Sequence, residues 1–242
     1  MYYVKQQSCL FDLTFKSSLY LIVFYYLKKV FMILTVGGIK GGSGKTILAI
    51  NIAVARSLKK ERILLVDADD QKSTLLWSEQ RSSLNLKTKI TVIQLSGSSI
   101  LPQIDEMSND YDQVVIDVGG RDTASQRASL LVCDTFLTPF RPRSLDIWTL
   151  DKLNLLLEEA RSLRPNLKAF SVLNQADPRG SDNKDSRNIL KEIPTLETLP
   201  YSICQRKVFA NSITEGLSVL EFEPEDLKAK KELKKLVSMI YQ

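Results

Sequence analysis

The sequence predicts an α/β fold, a mostly parallel twisted sheet of about seven or eight strands with helices on both faces. Three observations carry that expectation. Short apolar runs rich in β-branched residues alternate with stretches of helical apolar spacing, the pattern of strands buried on both faces and joined by helical crossovers. A glycine-rich turn, residues 37–44, joins the first such run to the first helical stretch. From Met32 on there is no internal repeat and no linker rich in Pro, Gly or Ser, so 32–242 reads as one domain.

Taken in order, residues 33–36 (Ile-Leu-Thr-Val) form a short apolar strand, and 48–58 repeat apolar residues at helical spacing. Residues 62–67 make a second strand ending on Asp67, followed after a polar turn by a helix at 73–81. Strands at 91–95, 113–117, 135–138, 169–173 and 195–199 then alternate with helices at 100–107, 122–131, 146–163, 182–191 and 205–213. The most polar turn, 177–181, is expected at the surface. A last helix, 225 to about 241, opens on Glu225-Asp226 and continues through Lys228, Lys230, Lys231, Lys234 and Lys235, acid first and base later as the helix dipole favours. Leu227, Leu233, Leu236, Val237 and Ile240 form its apolar stripe. Its lysines fit a solvated face, a membrane-surface contact or part of a DNA-binding face, with DNA ranked above membrane.

Composition narrows the chemistry. With no histidine in 242 residues, Ser-His-Asp and Cys-His triads, His-based zinc proteases and a histidine general acid are all excluded. Proton transfer falls to Asp, Glu, Lys or water. Cys9, Cys133 and Cys204 are isolated and form no C-x-x-C, so neither a disulfide framework nor a zinc or iron–sulfur site is suggested, and a reducing cytoplasm is the default compartment.

Net charge is +5, but its distribution matters more than its sum. Residues 1–31 hold Lys5, Lys16, Lys28 and Lys29 against Asp12, a net of +3, which leaves +2 for 32–242. The same segment carries nine of the nineteen aromatics. Its apolar run, 19–27, is nine residues long, whereas a membrane-spanning helix needs roughly 20. A secretory reading lacks a small-residue cleavage site. Two readings remain: an interfacial or docking helix, or a mis-assigned translation start with Met32 as the native first residue. The second is favoured, because Met32 opens directly onto a strand.

The turn after that strand reads Gly37-Gly38-Ile39-Lys40-Gly41-Gly42-Ser43-Gly44-Lys45-Thr46. Strand, glycine-rich loop and helix in succession are what a phosphate-binding loop requires. The glycines let the amides of Gly41, Gly42, Ser43 and Gly44 turn inward on an anion, and the helix N-terminus adds partial positive charge. Lys45 reaches the β- and γ-phosphates, and the Thr46 hydroxyl ligates Mg²⁺. The general pattern G-x-x-x-x-G-K-[ST] asks for Gly where this chain has Ile39, and a second lysine, Lys40, opens the loop.

That variant resembles the deviant Walker A box of the ParA/MinD superfamily of ATPases, and the likeness runs from Met32 to about Pro224. The resemblance implies a single P-loop NTPase domain. It also implies that Lys40 reaches across a nucleotide-sandwich homodimer to the partner's ATP, so that a cation supplied in trans ties hydrolysis to dimerisation. Val66-Asp67-Ala68-Asp69-Asp70-Gln71 is similar to the family's D-x-D-P-Q box, with Asp70 where proline is usual. Two carboxylates at i and i+2 leave a strand on the same side, toward the phosphate site if this strand neighbours the first. By resemblance Asp69 orients the attacking water and Asp67 sits near the Mg²⁺ shell; the alternative is a solvated acidic cluster opening the next helix. Trp77 matches a tryptophan common among small partition ATPases, although as a residue it reads more simply as packing. Asp117, closing the apolar strand 114–116, resembles Walker B and holds Mg²⁺, with Gly119-Gly120-Arg121 as a switch segment that feels the γ-phosphate.

Asn174 corresponds to the family position whose amide meets adenine; a turn asparagine serving its own backbone is the plain alternative. The stretch 199–209 resembles the family's late I-x-x-R-x-x-Y/F element and makes Arg206 and Lys207 candidates for DNA phosphate contact. The whole likeness is to short ParA-type plasmid partition ATPases. It implies ATP and Mg²⁺ as cofactors, weak hydrolysis stimulated by a ParB-type or ribbon-helix-helix centromere-binding protein, nonspecific DNA as a partner, a cytoplasmic and nucleoid-associated location, and no stable membrane insertion. The alternative is a MinD-like ATPase that positions a protein or membrane-bound cargo. An amidoligase or an iron–sulfur reductase component is disfavoured, since the cysteines do not pair for a cluster and no substrate-specific insertion is seen.

Overall fold

The structure is a computed structural model that describes residues 32–121, 123–142 and 147–242. The leading segment 1–31, with both of its alternatives, lies outside the described residues, as do Asp122 and Asp146, where two of the expected helices begin. Seven parallel strands form one sheet: β1 (Met32–Val36), β2 (Ile63–Ala68), β3 (Ile90–Gln94), β4 (Gln113–Val118), β5 (Thr135–Phe140), β6 (Lys168–Ala176) and β7 (Glu197–Cys204), in the order β3-β2-β4-β1-β5-β6-β7. Among the described residues eight α-helices connect and cover them: α1 (Lys45–Ser57), α2 (Ser73–Ser82), α3 (Ile100–Met107), α4 (Ala124–Val132), α5 (Ile147–Leu163), α6 (Asp182–Lys191), α7 (Lys207–Thr214) and α8 (Leu227–Ile240).

The burial explains the pattern. Every residue of β2, β4 and β5 is buried, as a parallel sheet covered on both faces demands. Helix α1 is buried almost all round, because Leu48, Ile52 and Val54 belong to a core that reaches from β1, β2 and β4 to Leu233, Leu236, Val237 and Ile240 of α8. Trp77 of α2 is a packing residue: it is buried, and its indole N–H donates to the Leu217 carbonyl at 3.2 Å. The same helix is tied down by Arg81, whose guanidinium makes a two-pronged pair with Glu221 at 2.8 and 3.0 Å and also donates to the Gly216 carbonyl.

The condition that β2 neighbour β1 is not met: β4 lies between them, pairing Val36 with Asp117 on one side and Asp67 with Asp117 on the other. Two expectations are corrected. Strand β7 runs past 199 to Cys204, pairing Ser202 and Ile203 with Leu173 and Asn174 of β6; Pro200 is tolerated because β7 is an edge strand, with a ladder on one side only. Leu227, placed in the apolar stripe of the last helix, is 71% exposed, since Asp226 caps the helix through the Lys228 and Ala229 amides and turns residue 227 outward; Ala229 takes the buried position.

Candidate functional site

The direction of the connections reverses between the neighbouring strands β1 and β4, since β1 leads to β2 toward one edge of the sheet and β4 leads to β5 toward the other, and such a switch point leaves a crevice at the carboxyl ends of the strands. The glycine-rich loop fills that place. Gly42 (φ 72°) and Gly44 (φ 87°) sit in the left-handed region, which curls the loop before α1, and no side chain caps α1 at its N-terminus. Lys45 folds back so that Nζ donates to the Lys40 carbonyl at 2.9 Å. It is 6% exposed; burial lowers its pKa while Asp117 and Asp69 pull it up. Behind the loop the Gly38 amide donates to Gln126 Oε1 at 3.1 Å, and a side chain at Gly120 would stand 2.7 Å from the Gly41 amide nitrogen. The backbone at Gly120 therefore packs closely against the glycine-rich loop at Lys40 and Gly41.

Asp117 ends β4 beside this loop. Thr74 Oγ1 donates to its Oδ2 at 2.8 Å, while its Oδ1 is buried with no hydrogen-bond partner among the described residues. Burial pushes the carboxyl up to about 7, against the opposing pull of the Thr46 and Thr74 hydroxyls and Lys45. A fully buried carboxylate with one idle oxygen, a threonine hydroxyl at hand and a lysine alongside suits a divalent cation that keeps several waters and is completed by phosphate oxygens. The described residues hold no cluster of three or more His, Cys, Asp or Glu that could hold a metal ion.

Asp67 lies on β2, beside Asp117 of β4 and separated by that strand from β1. Its Oδ1 accepts from the Asp69 amide at 3.1 Å and its Oδ2 from the Leu75 amide at 2.9 Å, so the carboxylate that the resemblance puts near the Mg²⁺ shell anchors the loop between β2 and α2. That anchor carries Asp69 toward the cleft, against Gly119 and within electrostatic reach of Lys45. With Asp70 in place of proline, the turn is held instead by Asp67 and by the Gln71 amide, which donates to Asp69 Oδ1 at 3.1 Å.

Gly41, Lys45, Thr46, Asp69 and Gly120 line a cleft of about 620 Å³ together with Arg121 and Gln175. Asn174 stands behind it inside β6, not in a turn. Its amide donates to the Ser43 carbonyl at 2.7 Å, and Gln175 Nε2 donates to the Gly42 carbonyl at 3.2 Å. The amide that the resemblance gives to adenine thus braces the phosphate loop. Replacing Asn174 with Ala is expected to lower stability by about 1–2 kcal/mol in denaturant melts, because the Ser43 carbonyl loses a buried donor; an unchanged midpoint would mean that the loop holds itself. Arg206 pairs with Glu232 at 2.7 Å, and Glu232 also accepts from the Cys204 amide, so this arginine joins β7 to α8; Lys207 is exposed at the start of α7. Sequence reasoning missed Gln126 and Thr74. Both lie in helices with no motif of their own, and only the folded chain brings Gln126 to Gly38 and Thr74 to Asp117.

A parallel α/β sheet with a phosphate loop at its switch point defines a nucleotide-binding domain. Residues 34–219 match the family described as the CobQ/CobB/MinD/ParA nucleotide binding domain, and the chain belongs to that family. It is similar to the maintenance of carboxysome distribution protein A of Halothiobacillus neapolitanus, with 29% identity over 210 residues that cover 86% of this chain and 95% of that protein. The protein of the same name from Gloeobacter kilaueensis is 32% identical over 189 residues, 76% of this chain and 81% of its own. A solved structure described as a plasmid partition protein of Borrelia burgdorferi bound to AMPPNP shares the fold at a TM-score of 0.66, with 20% identity over 87% of this chain and 98% of that one.

Proposed function

We propose that the chain is a ParA-type ATPase that partitions DNA, binding ATP with Mg²⁺, closing into a homodimer on nonspecific DNA and hydrolysing ATP slowly until a ParB-type or ribbon-helix-helix partner stimulates it. The observation that supports this best is the meeting, at one end of β1, β2 and β4, of a phosphate loop bearing Lys40 and Lys45 with Asp69 and Asp117. In this reading the amides of Gly41, Gly42, Ser43 and Gly44 and the Lys45 ammonium hold the phosphates, while Thr46 and Asp117 hold the cation. When bound, Mg²⁺ neutralises charge that builds on the phosphate oxygens. Asp69 orients the attacking water and accepts hydrogen bonding from it, and Lys40 supplies charge to the partner's nucleotide. Asp67 acts through the loop it anchors.

DNA contact falls to exposed lysines. With Arg206 held by Glu232, the basic surface on this side is Lys207 together with Lys228, Lys231, Lys234 and Lys235 of α8. No helix among the described residues is long and apolar enough to cross a membrane. Gel-shift or fluorescence titration with a nonspecific duplex tests the reading: binding is expected with ATP and not with ADP, weakening at least about tenfold for a fourfold rise in salt as counterions are released. Binding to anionic vesicles in place of DNA would sink it. A second reading, positioning of a protein body in place of a plasmid, is supported by the two relatives named for carboxysome distribution. It keeps the same ATP-dependent DNA contact and changes the cargo, so co-purification with a DNA-binding adaptor as against a shell-type protein separates the two.

A further inference from the structure

The first turn of α2 sits across two strand-end carboxylates. Asp67 and Asp117 are register partners in β2 and β4; the Leu75 amide donates to Asp67 and the Thr74 hydroxyl to Asp117. Thr74 is fully buried, and Lys72, in the left-handed region at the N-cap of α2, offers no side-chain cap, so this turn is held in place by the two aspartates. A carboxylate has two oxygens to commit. The Thr74 bond takes Asp117 Oδ2 and fixes the plane of the group, while Oδ1 stays buried and unpartnered among the described residues.

We propose that Thr74 is a positioning residue for the cation site: by committing Oδ2 it presents Oδ1 of Asp117, in one orientation, to a divalent cation shared with Thr46. The inference rests on the nucleotide and Mg²⁺ reading given above. It follows the general behaviour of groups that orient metal-binding side chains, whose loss lowers metal affinity about 10- to 100-fold. The hydroxyl also ties α2, and through its first turn the Asp69 loop, to the same carboxylate. A cation on Oδ1 and a water held by Asp69 are thereby kept in one frame.

The test is a titration of a fluorescent ATP analogue against Thr74→Val, Thr74→Ala and Thr74→Ser at graded Mg²⁺ and in EDTA, with thermal melts of the metal-free proteins. Val and Ala are expected to raise the Mg²⁺ concentration needed for tight binding about tenfold and to leave the affinity in EDTA unchanged; Ser, which keeps the hydroxyl, restores the wild-type Mg²⁺ midpoint. Equal loss with and without Mg²⁺, or a wild-type midpoint in Val and Ala, would overturn the inference, since a merely structural threonine gives one or the other. A wild-type chain whose binding ignores Mg²⁺ altogether would overturn the underlying reading and this inference with it, a result distinguishable from failure of the variants alone.

Discussion

Lys45→Ala is expected to weaken ATP binding on the order of 100-fold or more, measured by calorimetry or a fluorescent analogue. The lysine is buried at the start of α1, its ammonium is anchored on the Lys40 carbonyl, and it stands within reach of both Asp117 and Asp69. Charge-assisted hydrogen bonds contribute about 1.5–3 kcal/mol each, so two of them to phosphate oxygens account for that loss. The substitution has a second effect in the same direction. With the cation gone, Asp117 loses one of the groups that favour its ionised form, and the site becomes less ready for Mg²⁺. Affinity within about threefold of the wild type would show that the phosphates bind elsewhere.

Asp69→Ala is expected to separate binding from hydrolysis. ATP affinity stays near the wild-type value, while the rate of phosphate release falls about 10²- to 10⁴-fold, the range for loss of a positioned general base. The reason lies in how the residue is held. Asp69 is carried into the cleft by a loop whose amide is fixed on Asp67, and its carboxylate occupies the space that a side chain at Gly119 would enter, but no hydrogen bond joins it to the phosphate loop among the described residues. Its removal therefore leaves the Gly41–Thr46 cradle as it was. The ATP-bound form should accumulate, which in the partition reading lengthens residence on DNA. If hydrolysis fell only severalfold, the attacking water would have to be held by the backbone of Gly119 and Gly120.

Much of this arrangement is legible in the chain. The alternation of apolar runs and helical spacing locates the strands and helices of the described residues, most of them to within a few residues, because the inner strands are buried on both faces and read as largely apolar runs. The phosphate loop is equally plain, since its glycines, its lysine pair and its threonine are contiguous. What spacing along the chain cannot convey is strand order. Nothing local says that β4 inserts between β1 and β2, so the direction of Asp67 toward the loop stayed conditional on strand order, and it is Asp117 that lies on the strand beside β1. Partners supplied across the fold are illegible for the same reason: Asn174 on Ser43, Gln126 on Gly38 and Thr74 on Asp117 are separated by 131, 88 and 43 residues. Arg206 looked available until Glu232, 26 residues later on α8, was found to hold it. The overall charge of +5 weighs less than the local surface does: the exposed lysines of α8 lie on one element, and much of the remaining excess belongs to residues 1–31.

The central claim is that one cleft binds nucleotide through the loop at 37–46 and a cation through Thr46 and Asp117. The most direct measurement is a crystal structure of the chain grown with a non-hydrolysable ATP analogue and Mn²⁺, using anomalous scattering to locate the cation. The account predicts triphosphate density against the Gly41–Thr46 amides and a single anomalous peak beside Asp117 Oδ1 and the Thr46 hydroxyl. A peak elsewhere, or nucleotide bound with Asp117 Oδ1 still unpartnered, would contradict it.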